Sequence, residues 1–419
     1  MLTGWRRTIY KSHIYQFFLR GAKKLYRFYS LRIMYPRIYK KYSAKETDNG
    51  KVVFIEVRMP EISDNFRYIY DELKNNYSYK ISTHFLHMSF SRWREYEEFC
   101  KKMVIDVADA KYVFLNDSSN VFSCLPLRKE TVVTQLWHAC GAFKKFGMSI
   151  AELKFGDDKK TLDKYPYHGN YTHVTVSSPE VVWAYEEAMN LRHEEKIVKP
   201  VGISRTDIFY DPEMKKRAFD RLYSVFPQAK GKKIILYAPT FRGRVASAKT
   251  PDNFDMQMMK EELKSEYVML FKHHPFVKKR PVIDNVFSDF ARDVTEEMSI
   301  EDLLFVSDIC ISDYSSLVFE YSLFEKPMIF FAYDLEDYFD WRGFYYKYDE
   351  FVPGPICRSG QEVLACIKVV KTDFDKGIVT QFKEKYMSAC DGHATERIMK
   401  LVMGDSLEKM RKNESEENL

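Results

Sequence analysis

The chain is 419 residues long, roughly two to three times an average domain, and its 45% hydrophobic and 16% aromatic content argues against disorder over most of its length. Its net charge of +5 is uneven: residues 1–45 carry twelve Lys or Arg and no Asp or Glu, which leaves −7 on the remaining 374 residues. Seven scattered cysteines without a C-x-x-C spacing argue against a disulfide framework or structural zinc site and imply a reducing cytoplasm. No run approaches the roughly 18 apolar residues of a membrane span, and no apolar signal core follows Arg6 and Arg7.

Residues 5–42 interleave cations with eleven aromatics. Ile9, Phe17, Leu19, Leu25, Phe28 and Leu31 recur at helical spacings among Arg and Lys. This pattern predicts a basic amphipathic helix in a lipid headgroup layer, with rings at the interface and cations toward anionic lipid. A basic helix packed on the protein's own body, or one bound to nucleic acid, is the alternative; the aromatic content favours lipid.

From residue 51 short apolar runs alternate with helical stretches. Val52–Val57, Tyr112–Leu115, Val132–Leu136, Val174–Val176 and Ile197–Val201 form one series of predicted strands. Ile234–Tyr237, Val268–Phe271, Ile309–Ile311 and Met328–Phe331 form a second. Runs of this length and composition suit parallel strands buried on both faces. Helical spans such as part of Ile203–Val225 and Asp255–Lys264 complete βαβ units. A join near Gly202 divides the chain into a basic segment 1–48, an N-terminal domain 49–202, a C-terminal domain 203–404 and a charged tail 405–419 expected to fray. The expected class is α/β, with two Rossmann-like domains facing a central cleft and ligands beyond the carboxyl ends of the strands.

Chemistry-bearing residues gather at those ends. Thr134 to Gly147 reads TQLWHACGAFKKFG: a strand delivers His138 to its edge, where a neutral imidazole can take a proton from a hydroxyl, and Lys144 or Lys145 can hold an anion. A strand-end histidine alone is more often structural. Gly202–Asp207 places Arg205 in a turn, either on a phosphate or against Asp207. Tyr237–Arg242 presents Thr240 and Arg242 after Pro239 breaks the strand. Phe271–Pro275 brings Lys272 and His274 to a strand terminus, with His273 toward the other side. Ile309–Glu320 ends a buried strand at Ser312–Asp313 and starts a helix near Ser315 or Ser316, where backbone N–H groups and the helix dipole favour a pyrophosphate. Residues 333–355 form an aromatic, charged, turn-rich stretch, read as a loop over a ligand with Arg342 reaching an anion or as a rigid surface loop. No P-loop and no G-x-G-x-x-G follows a strand, which disfavours nucleotide-hydrolysing and dinucleotide chemistry.

Together these motifs resemble the CDP-glycerol glycerophosphotransferase family, which builds teichoic acids and related capsule polymers. The matching pieces are Gln135–His138, Gly202–Asp207, Tyr237–Arg242, Lys272–Pro275, Ser312–Ser316, Lys326–Phe331, Arg342–Tyr345, Pro353–Pro355 and Asp391–Arg397, in the family's order over roughly residues 50–400. The resemblance implies a GT-B fold, with acceptor held mainly by the first domain and CDP-alcohol by the second. It implies His138 as base at the acceptor hydroxyl, and His274, Ser315, Ser316 and Arg342 around the donor pyrophosphate. It also implies a peripheral position on the cytoplasmic face of a bacterial membrane. The chain departs from the family pattern at Ala139-Cys140-Gly141, Ser204 and Lys347.

The expectation is therefore a GT-B-like phosphotransferase. It moves glycerol phosphate or ribitol phosphate from CDP-glycerol or CDP-ribitol to a polyprenyl-diphosphate-linked, teichoic-acid-like acceptor and releases CMP. His138 and His274 are the expected catalytic residues. Thr240, Arg242, Lys272, Asp313, Ser315, Ser316 and Arg342 are expected at the donor, and Lys144, Lys145 and Arg205 at the acceptor. No cofactor, resident metal ligand set or nucleic-acid partner is expected, and a divalent metal requirement stays open. Residues 1–45 are expected to meet an anionic membrane surface, and a homo-oligomer is compatible with the sequence. A GT-B glycosyltransferase using a nucleotide sugar is the alternative.

Overall fold

The computed structural model describes residues 13–87, 92–153, 156–243, 248–251, 254–336, 338 and 343–412. Strands β1 (Asp48–Glu56), β2 (Lys80–Phe85), β3 (Ala110–Leu115), β4 (Val132–Gln135), β5 (His173–Thr175) and β6 (Val198–Lys199) form a sheet of order β2-β1-β3-β4-β5-β6. Strands β7 (Lys233–Tyr237), β8 (Tyr267–Phe271), β9 (Ala291–Asp293), β10 (Ile309–Ser312), β11 (Met328–Phe331) and β12 (Ile356–Cys357) form a second, of order β12-β11-β10-β7-β8-β9. The described strand pairs are parallel, and helices alternate with strands, so the fold is α/β with two Rossmann-like sheets.

The apolar runs explain the central strands. Val52, Val53, Phe54 and Ile55 of β1 are fully buried, and the Phe54 ring stacks on Phe114 at 5.1 Å and meets Phe66 edge-on at 5.2 Å. Phe66, Ile69 and Leu73 recur at helical spacing, and they are the buried face of the helix Asp64–Asn76. In the second sheet Ile235, Met269, Ile311 and Ile329 form a core with Val363, Leu364 and Ile367 of the helix Gly360–Val370, which Ser359 caps.

The register fixes where functional groups emerge. Tyr237 lies opposite Phe271 and Ile311, and Ser312 lies opposite Phe330. The residues that follow β7, β8, β10 and β11 therefore leave the sheet at one carboxyl edge.

The chain divides into two compact units that interleave in sequence: residues 1–137, 158–174 and 402–419, and residues 138–157 and 175–401. Gly202 lies inside the second unit at φ 95°, where an added Cβ would lie 2.1 Å from the Ala389 carbonyl oxygen. The near half of the tail is placed against the first unit. Ser406–Met410 is helical, Tyr77 and Arg411 pair as an antiparallel bridge, and the Ser78 N–H donates to the Met410 carbonyl at 2.7 Å.

At the other terminus, helix His13–Tyr29 leads through a π-helical turn, Ser30–Met34, into helix Tyr35–Tyr42. The predicted apolar stripe splits. Leu31 is buried in the first unit, as are Tyr35 and Tyr39 beyond the stripe; Leu19 is half-buried, Phe28 is exposed, Phe17 and Leu25 are about 70% exposed, and Ile9 lies outside the described residues. No described helix is long and apolar enough to cross a membrane.

Candidate functional site

The loop after β4 is locked by its own sequence. The Gln135 carboxamide accepts from the Trp137 N–H at 2.9 Å and donates to the Asp117 carbonyl at 3.0 Å. Trp137 adopts a left-handed φ of 59°, a strained state for a bulky residue, and strain of this kind concentrates where a side chain must be aimed. It turns the chain so that His138 leaves the strand end half-buried. The carbonyls of Ala139 and Gly141 lie 3.1 and 2.9 Å from the Tyr185 hydroxyl. The Gly141 N–H donates to Ser177 Oγ at 3.1 Å, and Ser177 in turn donates to the Tyr386 carbonyl at 2.7 Å. Gly141 has φ 59°, and an added Cβ would lie 2.2 Å from the Phe319 ring. The His138 loop thus abuts the helix Leu317–Ser322 within one compact unit.

Lys144 and Lys145 continue this loop. Lys144 forms an antiparallel bridge with Phe344, and the Lys145 N–H donates to the Gly343 carbonyl at 3.2 Å. Phe143 packs among Phe344, Tyr348 and Phe351 at 4.9 to 5.9 Å. The stretch following position 342 is therefore ordered against the lysine loop. Arg342 itself lies outside the described residues.

Thr240, Arg242 and Asp313 converge at the carboxyl edge of the second sheet. The Thr240 N–H and hydroxyl donate to the two Asp313 oxygens at 2.9 and 3.0 Å. Arg242 contacts Asp313 at 2.9 Å and Asp334 at 2.5 Å, while the Tyr314 hydroxyl donates to Asp334 at 2.9 Å. Burial opposes the Arg242 charge, but Asp313 and Asp334 outweigh it and hold the guanidinium protonated well above its ordinary range. One cation between two carboxylates leaves this cluster with a negative balance. Arg242 and the Lys144 ammonium each lie 5.2 Å from the Tyr338 ring, which joins the two motifs through cation–π contacts.

Other predicted residues have partners inside the fold. The Lys272 ammonium donates to the Thr295 and Met298 carbonyls at 2.8 and 2.6 Å, and burial lowers its pKa. Arg205 forms an ion pair with Glu320, with Cys140 Sγ 3.8 Å from its guanidinium, rather than resting on Asp207. Asp207 instead accepts from the Ala394 and Thr395 N–H groups at 3.1 and 2.7 Å. His274 is half-buried between Phe241 and Phe276, at 4.8 and 4.7 Å, and accepts from the Phe276 N–H through Nδ1. His273 is buried, with Nδ1 3.0 Å from Thr250 Oγ1, and lines a cavity of about 180 Å³ with Tyr237, Phe254, Phe271 and Pro281. Ser316 is the N-cap of Leu317–Ser322, but the capping hydroxyl is that of Ser315, which accepts from the Leu317 N–H at 3.2 Å. Lys347 lies on the surface, 2.7 Å from Glu350.

Sequence reasoning missed Asp334, Tyr185 and Ser177. Asp334 stands just beyond β11, so the strand-end rule that selected Asp313 could have found it. Tyr185 and Ser177 act on backbone carbonyl and N–H groups, which leave no spacing signal.

The sequence matches the family described as CDP-Glycerol:Poly(glycerophosphate) glycerophosphotransferase over residues 37–404. It is 37% identical over 364 residues to the teichoic acid ribitol-phosphate primase of Bacillus spizizenii, covering 84% of this chain and 91% of that protein. It is also 37% identical over 360 residues to the teichoic acid poly(ribitol-phosphate) polymerase of the same species, covering 85% of this chain but only 56% of the polymerase. A solved structure of the wall teichoic acid polymerase TagF shares the fold, with a TM-score of 0.70 at 20% identity, covering 93% of this chain and 98% of that one.

Proposed function

Because the chain belongs to the CDP-glycerol:poly(glycerophosphate) glycerophosphotransferase family, and is an enzyme of that type, we propose that it moves a polyol phosphate from a CDP-alcohol onto a lipid-linked acceptor hydroxyl and releases CMP. The observation that carries this reading is the joining of the two motifs in one unit: the rigid His138 loop abuts the helix that Ser315 and Ser316 open, and its Lys144 shares the Tyr338 ring with Arg242.

In the proposed step a neutral His138 takes the proton of the acceptor hydroxyl. The freed oxygen attacks the alcohol-bearing phosphorus, forming a new P–O bond in line with the bond to the bridging oxygen. That bond breaks, and CMP departs with its electron pair. The negative charge that builds on phosphate oxygens needs fixed positive partners. Arg242 is already balanced by Asp313 and Asp334, so Lys144, Lys145, Arg342, His274 and the hydroxyls of Ser315 and Ser316 are the groups proposed for that task. Arg242, Thr240 and Asp313 hold the strand ends in register. Lys272 and Arg205 hold loops through the carbonyls and Glu320 described above.

Both relatives named above carry ribitol phosphate in their names, which makes CDP-ribitol the first donor to test. The exposed aromatics of helix His13–Tyr29 support a peripheral position on an anionic membrane face. Incubation with CDP-ribitol, CDP-glycerol and UDP-sugars, in the presence of a lipid-linked acceptor, distinguishes the donors by the nucleotide set free. CMP release with a CDP-alcohol is expected. UDP release alone would replace this reading with the nucleotide-sugar one.

A further inference from the structure

Beneath helix His13–Tyr29, inside the first unit, lies a cavity of about 680 Å³, within the size range of roughly 300–1,000 Å³ typical of small-molecule sites. Its wall is largely apolar: Leu31, Trp93, Tyr96 and Val121 line it, together with the ring of Tyr26, which packs on Trp93 at 5.1 Å. The π-helical turn Ser30–Met34 contributes Ser30 and Leu31 to this wall, and π segments of this kind mark functional sites in helices.

The polar groups around the cavity are unbalanced. Glu97 is held by Lys101 at 2.7 Å and by the Tyr26 hydroxyl, and these partners lower its pKa against the opposing effect of burial. Arg27 lines the cavity, with its guanidinium over the Tyr165 ring at 4.6 Å. An anionic oxygen is the natural complement of a guanidinium beside an apolar wall. Lys23 adds a second cation at the rim. The same helix exposes Phe17, Phe18, Leu25 and Phe28 and has no acid in its first turn.

We infer that this cavity takes the alkyl chain of one anionic membrane lipid, with Arg27 on its phosphate. The site would hold a single lipid beneath the helix, in addition to any contact the helix makes with a surface. It stands independently of the transfer reaction, because its test reads binding alone.

The test is calorimetric titration of the full chain with alkyl phosphates below their micelle thresholds. One dodecyl phosphate per chain is expected to bind. Affinity should rise about fourfold per methylene from octyl to dodecyl, the equivalent of about 0.8 kcal/mol per buried CH₂. Ala22 is an exposed lining residue, so Ala22→Trp should block the opening without unfolding the chain, and a tenfold or greater loss of dodecyl phosphate binding is expected. Arg27→Gln should lose about tenfold for dodecyl phosphate and leave dodecyl maltoside unchanged. Equal binding by Ala22→Trp, equal affinity for dodecyltrimethylammonium, or inorganic phosphate binding as tightly as dodecyl phosphate would overturn the inference. So would binding that emerges only after residues 1–12 are removed, since the chain's own terminus would then be the occupant.

Discussion

Arg242, expected at the donor, is held in the fold between two carboxylates. Its side chain is 19% exposed, and its guanidinium bridges Asp313 and Asp334 and faces the rings of Tyr314 and Tyr338. Removing one member of a buried charge pair leaves the other uncompensated, at a cost of about 3–5 kcal/mol. Arg242→Met is therefore expected to lower unfolding free energy by about 3 kcal/mol in urea titration. A variant as stable as the parent would show that the pair is not structural. Gly141 makes the complementary point. Its positive φ and the Phe319 ring both exclude a Cβ, so Gly141→Ala should destabilise the chain by more than about 1 kcal/mol and displace the His138 loop. Pairing it with Phe319→Leu should recover part of the loss, because the steric component is relieved while the φ penalty stays.

Among elements, legibility followed burial. The central strands β1, β3, β4, β7, β8, β10 and β11 carry apolar runs because both their faces are covered, and those runs are visible without coordinates. β2, β9 and β12 were not read, and all three are edge strands. β2 alternates Lys80, Ser82 and His84 with Ile81, Thr83 and Phe85, and β12 has only Ile356 and Cys357, so neither offers a continuous apolar signal. The N-terminal helix was legible as a helix, but its faces were not: Leu31 and Tyr35 pack inward, whereas Phe17, Phe18, Leu25 and Phe28 remain outside. Replacing those four exposed residues with Ser should abolish sedimentation with anionic vesicles while leaving the unfolding midpoint unchanged within about 2 °C, since surface substitutions move stability by only about 0.5 kcal/mol. Added salt should weaken sedimentation of the unaltered chain. Full sedimentation of the substituted protein would remove the helix from the membrane reading. This substitution is a cleaner probe than deletion of residues 1–45, because Tyr35 and Tyr39 belong to the core.

For the whole molecule, the candidate site was legible as a set of strand ends, and its electrostatics were not. Periodicity placed Thr240, His274, Asp313 and Ser315 at strand termini, yet it could not show that Arg242, Lys272 and Arg205 are engaged by Asp313, two carbonyls and Glu320. The same blindness applies to pH. His168 lies beside Tyr171, with Nδ1 3.1 Å from the phenol oxygen, and burial pushes its pKa down to about 4. The folded state thus disfavours the protonated ring relative to the unfolded chain, whose histidine titrates near 6.5. The stabilisation is complete above about pH 6.5 and drains as pH falls toward about 4, by at most about 1.4 kcal/mol per pH unit. His168→Gln should flatten this part of the pH–stability curve. An unaltered slope between the two proteins would show that other groups govern it.

The proposed reaction takes His138 as its base, on a loop at the end of β4 whose backbone is held by Gln135 and Tyr185. The direct measurement is steady-state CMP release from a CDP-alcohol by His138→Ala beside the unaltered chain, with thermal unfolding recorded for both. A loss of at least about a hundredfold in turnover at an unchanged unfolding midpoint is predicted, the lower end for removal of a general base. Turnover within about twofold of the unaltered enzyme would contradict the assignment of His138 as the base.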